Sequence, residues 1–234
     1  MANVISNEYL GQDMHLLKIE GSFKGEMGQF YMVRAWENYP VLSRPISIHN
    51  IEEESITFLY RVVGEGTEIL SNLKTSDDVK LEGPYGNGFP KVTGKVALVG
   101  GGMGVAPLYL AAKKLKQMES VEKLDVYMGF RDEAILTEEY EEYADELFIN
   151  INGKVTDDLD VDKYDYIFTC GPEVMMESVV NMAKGSNTKV YVSIEKRMAC
   201  GVGACLVCTC KTQSGNKKTC KDGPVFLGED VYYA

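Results

Sequence analysis

Five of the six cysteines crowd into the stretch from Cys200 to Cys220, and four of them stand as Cys200-x4-Cys205-x2-Cys208-x11-Cys220. That is the plant-type spacing for a [2Fe–2S] cluster, whose two irons take four thiolates. Gly201 and Gly203 lie between the first two ligands. There the loop must wrap closely around the inorganic core and turn backbone N–H groups toward the sulfurs. Structural zinc also takes four thiolates and is the competing reading. Zinc sites usually pair two short C-x2-C knuckles, and only one such pair is present. The remaining thiol of the group, Cys210, reads as a packed or free cysteine. A small metal-holding module at one end of the chain is expected.

The other numbers narrow the class. A chain of 234 residues suits two domains plus a small appendage. With 45% hydrophobic and 25% charged residues it is a folded chain and not a disordered one. Its net charge of −11 argues against a nucleic-acid partner. No apolar run approaches the roughly 20 residues that span a bilayer. The opening MANVISNEYLGQDMHLLKIEG has no basic region followed by an apolar one. No export signal, no membrane partner and a cytoplasmic location are therefore expected, which fits clustered thiols used as ligands.

Two patterns divide the rest. Up to residue 94, HLLKIEG, GQFYMVRA, SRPISIHN, SITFLYRVV and DVKLEGPYG are β-branched and aromatic runs broken by Gly, Asn, Pro and Asp. They predict an antiparallel barrel over 1–94. From residue 95 the reading changes to alternating strands and helices: Lys95–Val99, a helix to about Met118, Leu124–Phe130, a helix from Thr137 to Leu147, Phe148–Ile151, Tyr166–Thr169, a helix after Pro172, and Lys189–Ile194. That alternation predicts a parallel α/β domain over 95–194 and leaves 195–234 for the cysteine module. The fold class is thus α+β multidomain.

Three short motifs add chemistry. Gly100-Gly101-Gly102-Met103-Gly104 joins a buried strand to a helix, where backbone N–H groups and the positive helix end converge on one spot suited to a pyrophosphate. Pro107 departs from the usual G-x-G-x-x-G spacing, and a ligand-free turn is the bland alternative. Arg44-Pro45-Ile46-Ser47 sets an arginine beside a β-edge where it can pair with a flavin pyrophosphate, and Gly64-Glu65-Gly66-Thr67 can offer N–H groups and a hydroxyl to the same phosphates; a solvated surface arginine and an ordinary turn are the bland alternatives. Cys170-Gly171-Pro172 ends a strand at the carboxyl edge, where open α/β sheets bind ligands. Cys170 either faces a nicotinamide or is a small buried hydrophobe. His15 and His49 show no partner pattern.

Taken in order, these motifs resemble the ferredoxin–NADP reductase superfamily and, within it, the electron-transfer subunits of type B dihydroorotate dehydrogenase. The sharpest stretch is SIEKRMACGVGACLVCTC followed by CKDGPVF. The resemblance implies an FAD site at Arg44, Pro45, Ile46 and Ser47, with Leu59, Tyr60 and Arg61 lining the flavin and Gly66 and Thr67 at its phosphates. It implies an NAD site at Gly100, Gly101, Gly102, Gly104, Pro107, Cys170, Gly171 and Pro172, and cluster ligands Cys200, Cys205, Cys208 and Cys220. It also implies an FMN-containing catalytic dihydroorotate dehydrogenase subunit as partner, in a heterotetramer of two of each chain. The role would be to pass electrons from that partner through [2Fe–2S] and FAD to NAD⁺ in pyrimidine biosynthesis, with no general acid or base in this chain. Small flavin and cluster subunits of ferredoxin-dependent NAD(P) oxidoreductases, some called sulfide dehydrogenases, share the plan. In those resembling the electron-bifurcating type the first ligand is an aspartate, so Cys200 favours the dihydroorotate reading. Arg131 stands where NADP enzymes often hold a 2′-phosphate and Asp132 argues for NAD, so the choice of nucleotide stays open. A non-redox zinc-binding module is the remaining alternative.

Overall fold

A computed structural model describes residues 2–233. The first half forms β1 (Ala2–Gly11), β2 (Met14–Glu20), β3 (Phe30–Arg34), β4 (Arg44–Ser47), β5 (Asn50–Glu52), β6 (Ser55–Arg61), the short helix α1 (Glu65–Ser71) and β7 (Asp78–Tyr85). They make one antiparallel sheet in the order β4-β3-β7-β1-β2-β6-β5. Its two ends are consecutive in the chain, and the residues joining them close the barrel: Ile48 N–H donates to Gln29 O and His49 N–H to Thr57 O, each at 2.9 Å. Closure removes the free edges that an open sheet would present. Leu17, Ile19, Val33, Ile56, Phe58 and Val79 fill the interior with no measurable exposure.

The second half begins with β8 (Gly94–Gly101), one 3-10 turn over Gly102–Gly104, and α2 (Val105–Lys116). β9 (Val121–Phe130), α3 (Thr137–Glu141), β10 (Glu146–Ile151), β11 (Tyr166–Cys170), α4 (Glu173–Met182) and β12 (Lys189–Ser193) follow. Their sheet runs β10-β9-β8-β11-β12 in parallel. The helix expected to reach Leu147 stops at Glu141. Its acidic residues crowd at helical spacing and repel. Beyond it Asp145 turns out to accept the Leu124 N–H at 2.8 Å and pair with Lys116, which starts β10 early.

The C-terminal segment holds a hairpin, β13 (Thr209–Thr212) and β14 (Gly215–Lys218), then β15 (Val225–Leu227) and α5 (Gly228–Tyr232). β15 adds to the parallel sheet as an antiparallel edge against β12. The cysteine segment is thereby tied to the second sheet as well as to the barrel. Among the described residues no helix is long and apolar enough to cross a membrane.

Helix α2 is the seam between the two sheets. His49 Nδ1 lies 2.9 Å from Ala106 O, Lys113 Nζ donates to Asn50 Oδ1 at 3.1 Å, and Lys114 Nζ pairs with Glu26 at 2.7 Å. Burial lowers the His49 pKa to about 4, with the Ala106 carbonyl pulling weakly the other way. The unfolded chain takes up this proton below about pH 6.5, while the folded chain refuses it until about pH 4. Stability is therefore full above pH 6.5 and falls as acid is added. Between pH 7 and pH 5 the expected loss is about 2 kcal/mol. Urea midpoints at the two pH values, compared with those of His49→Phe, measure it: the variant should lack that part of the pH dependence.

Candidate functional site

The Arg44 side chain reaches from β4 to the start of α1. A Cβ on Gly66 would sit 2.5 and 2.6 Å from Arg44 Cζ and Nη2, so the guanidinium lies directly over this buried glycine. The two motifs, separated in sequence, thus form one cradle of cationic N–H donors and backbone at a turn. Trp36 supports it, with the Arg44 Cζ 5.3 Å and the Arg34 Cζ 5.6 Å from its ring. Among the described residues no carboxylate pairs with Arg44. A guanidinium left without a counter-charge and stacked in place suits a phosphate. Pro45 is half-buried, Ile46 points into the core and Ser47 pairs with Phe30 across β3. On β6, Leu59 and Tyr60 are buried and Arg61 is exposed. The Thr67 hydroxyl is already engaged: it accepts from Val63 N–H at 2.9 Å and Gly64 N–H at 3.2 Å and donates to Gly64 O at 2.8 Å. Its part in this geometry is to shape the Gly64 turn.

The second constellation sits at the carboxyl ends of β8 and β11, which pair Gly100 with Cys170. A Cβ on Gly104 would fall on the Cys170 carbonyl, and one on Gly171 would lie 2.8 Å from Gly101 O. The glycine turn and the Cys170-Gly171-Pro172 turn touch backbone to backbone, a packing only glycine permits. Gly102, at φ +53, faces open space. Pro107 is buried in the first turn of α2. Cys170 is 1% exposed, and burial, with the Glu195 charge nearby, pushes its thiol well above the usual range. Glu195 is a residue that motif reading missed: the residue is exposed overall, yet partial burial of its carboxyl raises the pKa. Its signal was its place two residues past the end of β12, at the carboxyl edge of the parallel sheet. Arg131 and Asp132 are exposed just beyond β9, beside this edge.

The third constellation is the cysteine loop. Its thiols fall into two neighbouring couples, Cys200 with Cys205 and Cys220 with Cys208. Among the described residues no three Cys, His, Asp or Glu side chains converge as one metal ion would need. Two thiol couples are what a two-iron cluster takes, one couple per iron. Backbone N–H groups already aim at the sulfurs: Ala204 at 3.3 Å and Cys205 at 3.4 Å on Cys200, Gly203 at 3.1 Å on Cys220, and Cys220 at 3.4 Å on Cys208. Those donors lower the Cys200 thiol to about 6, whereas burial beside Cys208 raises Cys220 to about 12. Gly201 and Gly203 hold left-handed φ values of +71° and +80°, which turns these amides inward. The all-thiol donor set and inward amides fit the cluster. Cys210 is buried in β13 and joins neither couple.

Cysteine loop and barrel meet directly. Cys208 and Cys220 pack with Phe30, Met32, Tyr85 and Met198, and a Cβ on Gly201 would lie 3.0 Å from Met32 Cγ. Met32 on β3 pairs with Pro45 on β4. The inner thiol couple therefore lies one strand from the Arg44–Ser47 segment, and neighbouring strands are about 4.8 Å apart.

Known proteins match at every level. Residues 195–232 match the family described as the iron–sulfur cluster binding domain of dihydroorotate dehydrogenase B. The electron transfer subunit of dihydroorotate dehydrogenase B (NAD(+)) from Clostridium acetobutylicum is 48% identical, over 97% of this chain and 95% of that one. The Clostridium perfringens subunit of the same name is 45% identical, over 98% and 96%. Among solved structures, the NADH-dependent reduced ferredoxin–NADP oxidoreductase studied for flavin-based electron bifurcation superposes with a TM-score of 0.88 at 28% identity, over 99% of this chain and 89% of that one. The ferredoxin reductase of carbazole 1,9a-dioxygenase, at 21% identity, has a TM-score of 0.66 over 81% of this chain and 67% of that one, a likeness of fold. With full-length relatives at this identity, and its cysteine segment matching their cluster domain, the chain belongs to the family of electron-transfer subunits of dihydroorotate dehydrogenase B.

Proposed function

We propose that the chain receives electrons from an FMN-containing catalytic dihydroorotate dehydrogenase and delivers them to NAD⁺, in a cytoplasmic heterotetramer of two copies of each subunit. In this reading 1–94 is the FAD unit, 95–194 the NAD unit and 195–234 the [2Fe–2S] unit. When bound, the flavin exchanges single electrons with a cluster and a hydride with a nicotinamide. The chain supplies placement. Arg44 and the Gly66 turn hold the flavin phosphates, with Pro45, Ile46, Ser47, Leu59, Tyr60, Arg61 and Thr67 shaping the rest of that site. Gly100, Gly101, Gly102, Gly104, Pro107, Cys170, Gly171 and Pro172 receive the nicotinamide nucleotide. Cys200, Cys205, Cys208 and Cys220 ligate iron. The observation that carries the reading is Met32, which touches the cysteine loop on one side and pairs with the flavin segment on the other. The names of the relatives specify NAD⁺.

An anaerobic visible spectrum before and after NADH tests the proposal. The expected result is flavin bands over broad iron–sulfur absorption, both bleached by NADH. A colourless protein carrying zinc would overturn it. A second reading, the small subunit of a ferredoxin-dependent oxidoreductase, is favoured by the TM-score of 0.88 against such a structure. The co-purifying subunit separates the two readings: FMN with dihydroorotate oxidation supports the first, ferredoxin reduction the second.

The outer rim of the cysteine loop gives the partner a surface. Val202, Leu206 and Val207 are 53%, 62% and 55% exposed around the more accessible thiol couple. Single apolar residues on a surface are ordinary, but three on one short loop form a patch suited to a partner. Leu206→Asp with Val207→Asp is expected to weaken association with the catalytic subunit at least about 100-fold, since a buried unpaired charge at an interface costs several kcal/mol. FAD and cluster content should stay at parental levels. Gel filtration with the catalytic subunit is the measurement, and unchanged co-elution would move the interface elsewhere.

A further inference from the structure

None of the three cofactor segments accounts for His49. It is 3% exposed, and its backbone N–H serves the barrel by donating to Thr57 O. Its ring turns toward α2. Nδ1 lies 2.9 Å from the Ala106 carbonyl oxygen, and the imidazole stacks on Tyr109 with centroids 4.6 Å apart and planes 16° apart. A carbonyl only accepts, so Nδ1 carries the proton and donates it. Ala106 and Tyr109 are three residues apart on one face of α2, so the ring grips the first turn of that helix with one bond and one stack.

The place of this grip matters more than its strength. Ala106 comes two residues after Gly104, the last glycine of the nucleotide turn, and His49 comes two residues after Ser47, the last residue of the flavin segment. Among the described residues the other polar ties between barrel and helix lie further along α2, at Lys113 and Lys114, and use long side chains. Tyr140 donates to the carbonyl of Val105, the neighbour of Ala106, and packs edge-on against Tyr109. The turn is therefore held from the barrel by His49 and from the α/β side by Tyr140.

We propose that His49 is a positioning residue: bonded to Ala106 and stacked on Tyr109, it sets the pose of the Gly100–Gly104 turn relative to the Arg44–Ser47 strand and so the approach of nicotinamide to flavin. The proposal rests on reading those two segments as the nucleotide and flavin sites. His49 touches neither reactant and acts through Ala106. Small displacements of reacting groups are costly, about 100-fold in rate for 1 Å, which is why a short buried link belongs at this point.

The test compares two variants of the full holoprotein. His49→Phe keeps the stack and removes the donor, and His49→Asn returns an amide N–H near the Nδ1 position. In His49→Phe the rate of flavin bleaching at saturating NADH should fall about tenfold or more, with half-saturation by NADH changed less than about threefold and FAD and iron retained. Amide hydrogen exchange across 105–112 should speed up. His49→Asn should recover most of both effects. Bleaching and exchange within about twofold of the parent in His49→Phe would overturn the proposal. So would an asparagine variant as impaired as the phenylalanine one, because returning the donor would then restore nothing. Should His49→Phe fail to fold, His49→Gln takes its place under the same criteria, its amide falling on the Nε2 side. A parent protein that NADH does not bleach would overturn the site reading itself, and the proposal with it.

Discussion

Gly104→Ala is expected to slow NADH-driven bleaching of the flavin about 100-fold at saturating NADH, while FAD and cluster contents stay at parental levels. A Cβ here would fall on the Cys170 carbonyl and lie 2.6 Å from the Gly171 nitrogen. All the obstructing atoms are backbone, so no side chain can swing aside. From the opposite side Gly171 also approaches Gly101 backbone, less tightly, with a Cβ position 2.9 Å from Gly101 N and a φ of +146°. The two turns must part to admit one methyl. Such overpacking costs about 1–3 kcal/mol, a fraction of the 5–15 kcal/mol that typically holds a domain together, so the chain should still fold. The turns are also the floor on which the nicotinamide nucleotide is proposed to lie. A shift of about 1 Å there carries the hundredfold penalty expected of misaligned reacting groups. Anaerobic stopped-flow reduction by NADH measures it, with dithionite reduction of the cluster as the control for an intact protein. A rate within about threefold of the parent would show that these turns do not position the nucleotide.

The features legible in the sequence are those whose signal is local. The cysteine spacing, the apolar run into five residues rich in glycine, and the alternation of strand and helix after residue 95 each follow from neighbours in the chain. Elements that depend on distant partners were not legible. β1, ANVISNEYLG, mixes polar and apolar residues without clean alternation, has one buried residue, and becomes a strand because β2 and β7 pair with it. β15 is three residues long and exists as the antiparallel edge of a parallel sheet. The same division runs through the sites. Arg44 and Gly66 are each legible as motif residues, but the guanidinium lying over the glycine is a tertiary fact. Trp36, which steadies that guanidinium, and Glu195, which adds its charge near Cys170, carry no motif at all. Thr67 shows the reverse case. Its hydroxyl looked available for phosphates, yet the turn that it caps already engages it on all sides.

Gly66→Ala should weaken FAD binding about 10- to 100-fold without unfolding the protein, and the reason it differs from Gly104→Ala lies in what the new methyl would meet. At Gly66 the obstructing atoms are the tip of the Arg44 side chain, with Cζ at 2.5 Å and Nη2 at 2.6 Å. An arginine tip has room to move at modest cost, and alanine suits the first turn of α1 better than glycine does. The fold is therefore expected to absorb the change by pushing the guanidinium off the turn and off the face of Trp36. What is lost is a charge-assisted hydrogen bond to phosphate, worth about 1.5–3 kcal/mol, which converts to the stated range. Arg44→Ala should give a similar loss by removing the group outright. Because both substitutions act on one guanidinium, their effects should not add. The double variant should bind FAD about as weakly as Arg44→Ala alone, the signature of two residues working through a single contact. FAD retained after gel filtration, and its affinity by flavin fluorescence, are the measurements. If Gly66→Ala bound FAD as tightly as the parent, or if the two losses added in full, the cradle formed by Arg44 over Gly66 would not be where the flavin phosphates are held.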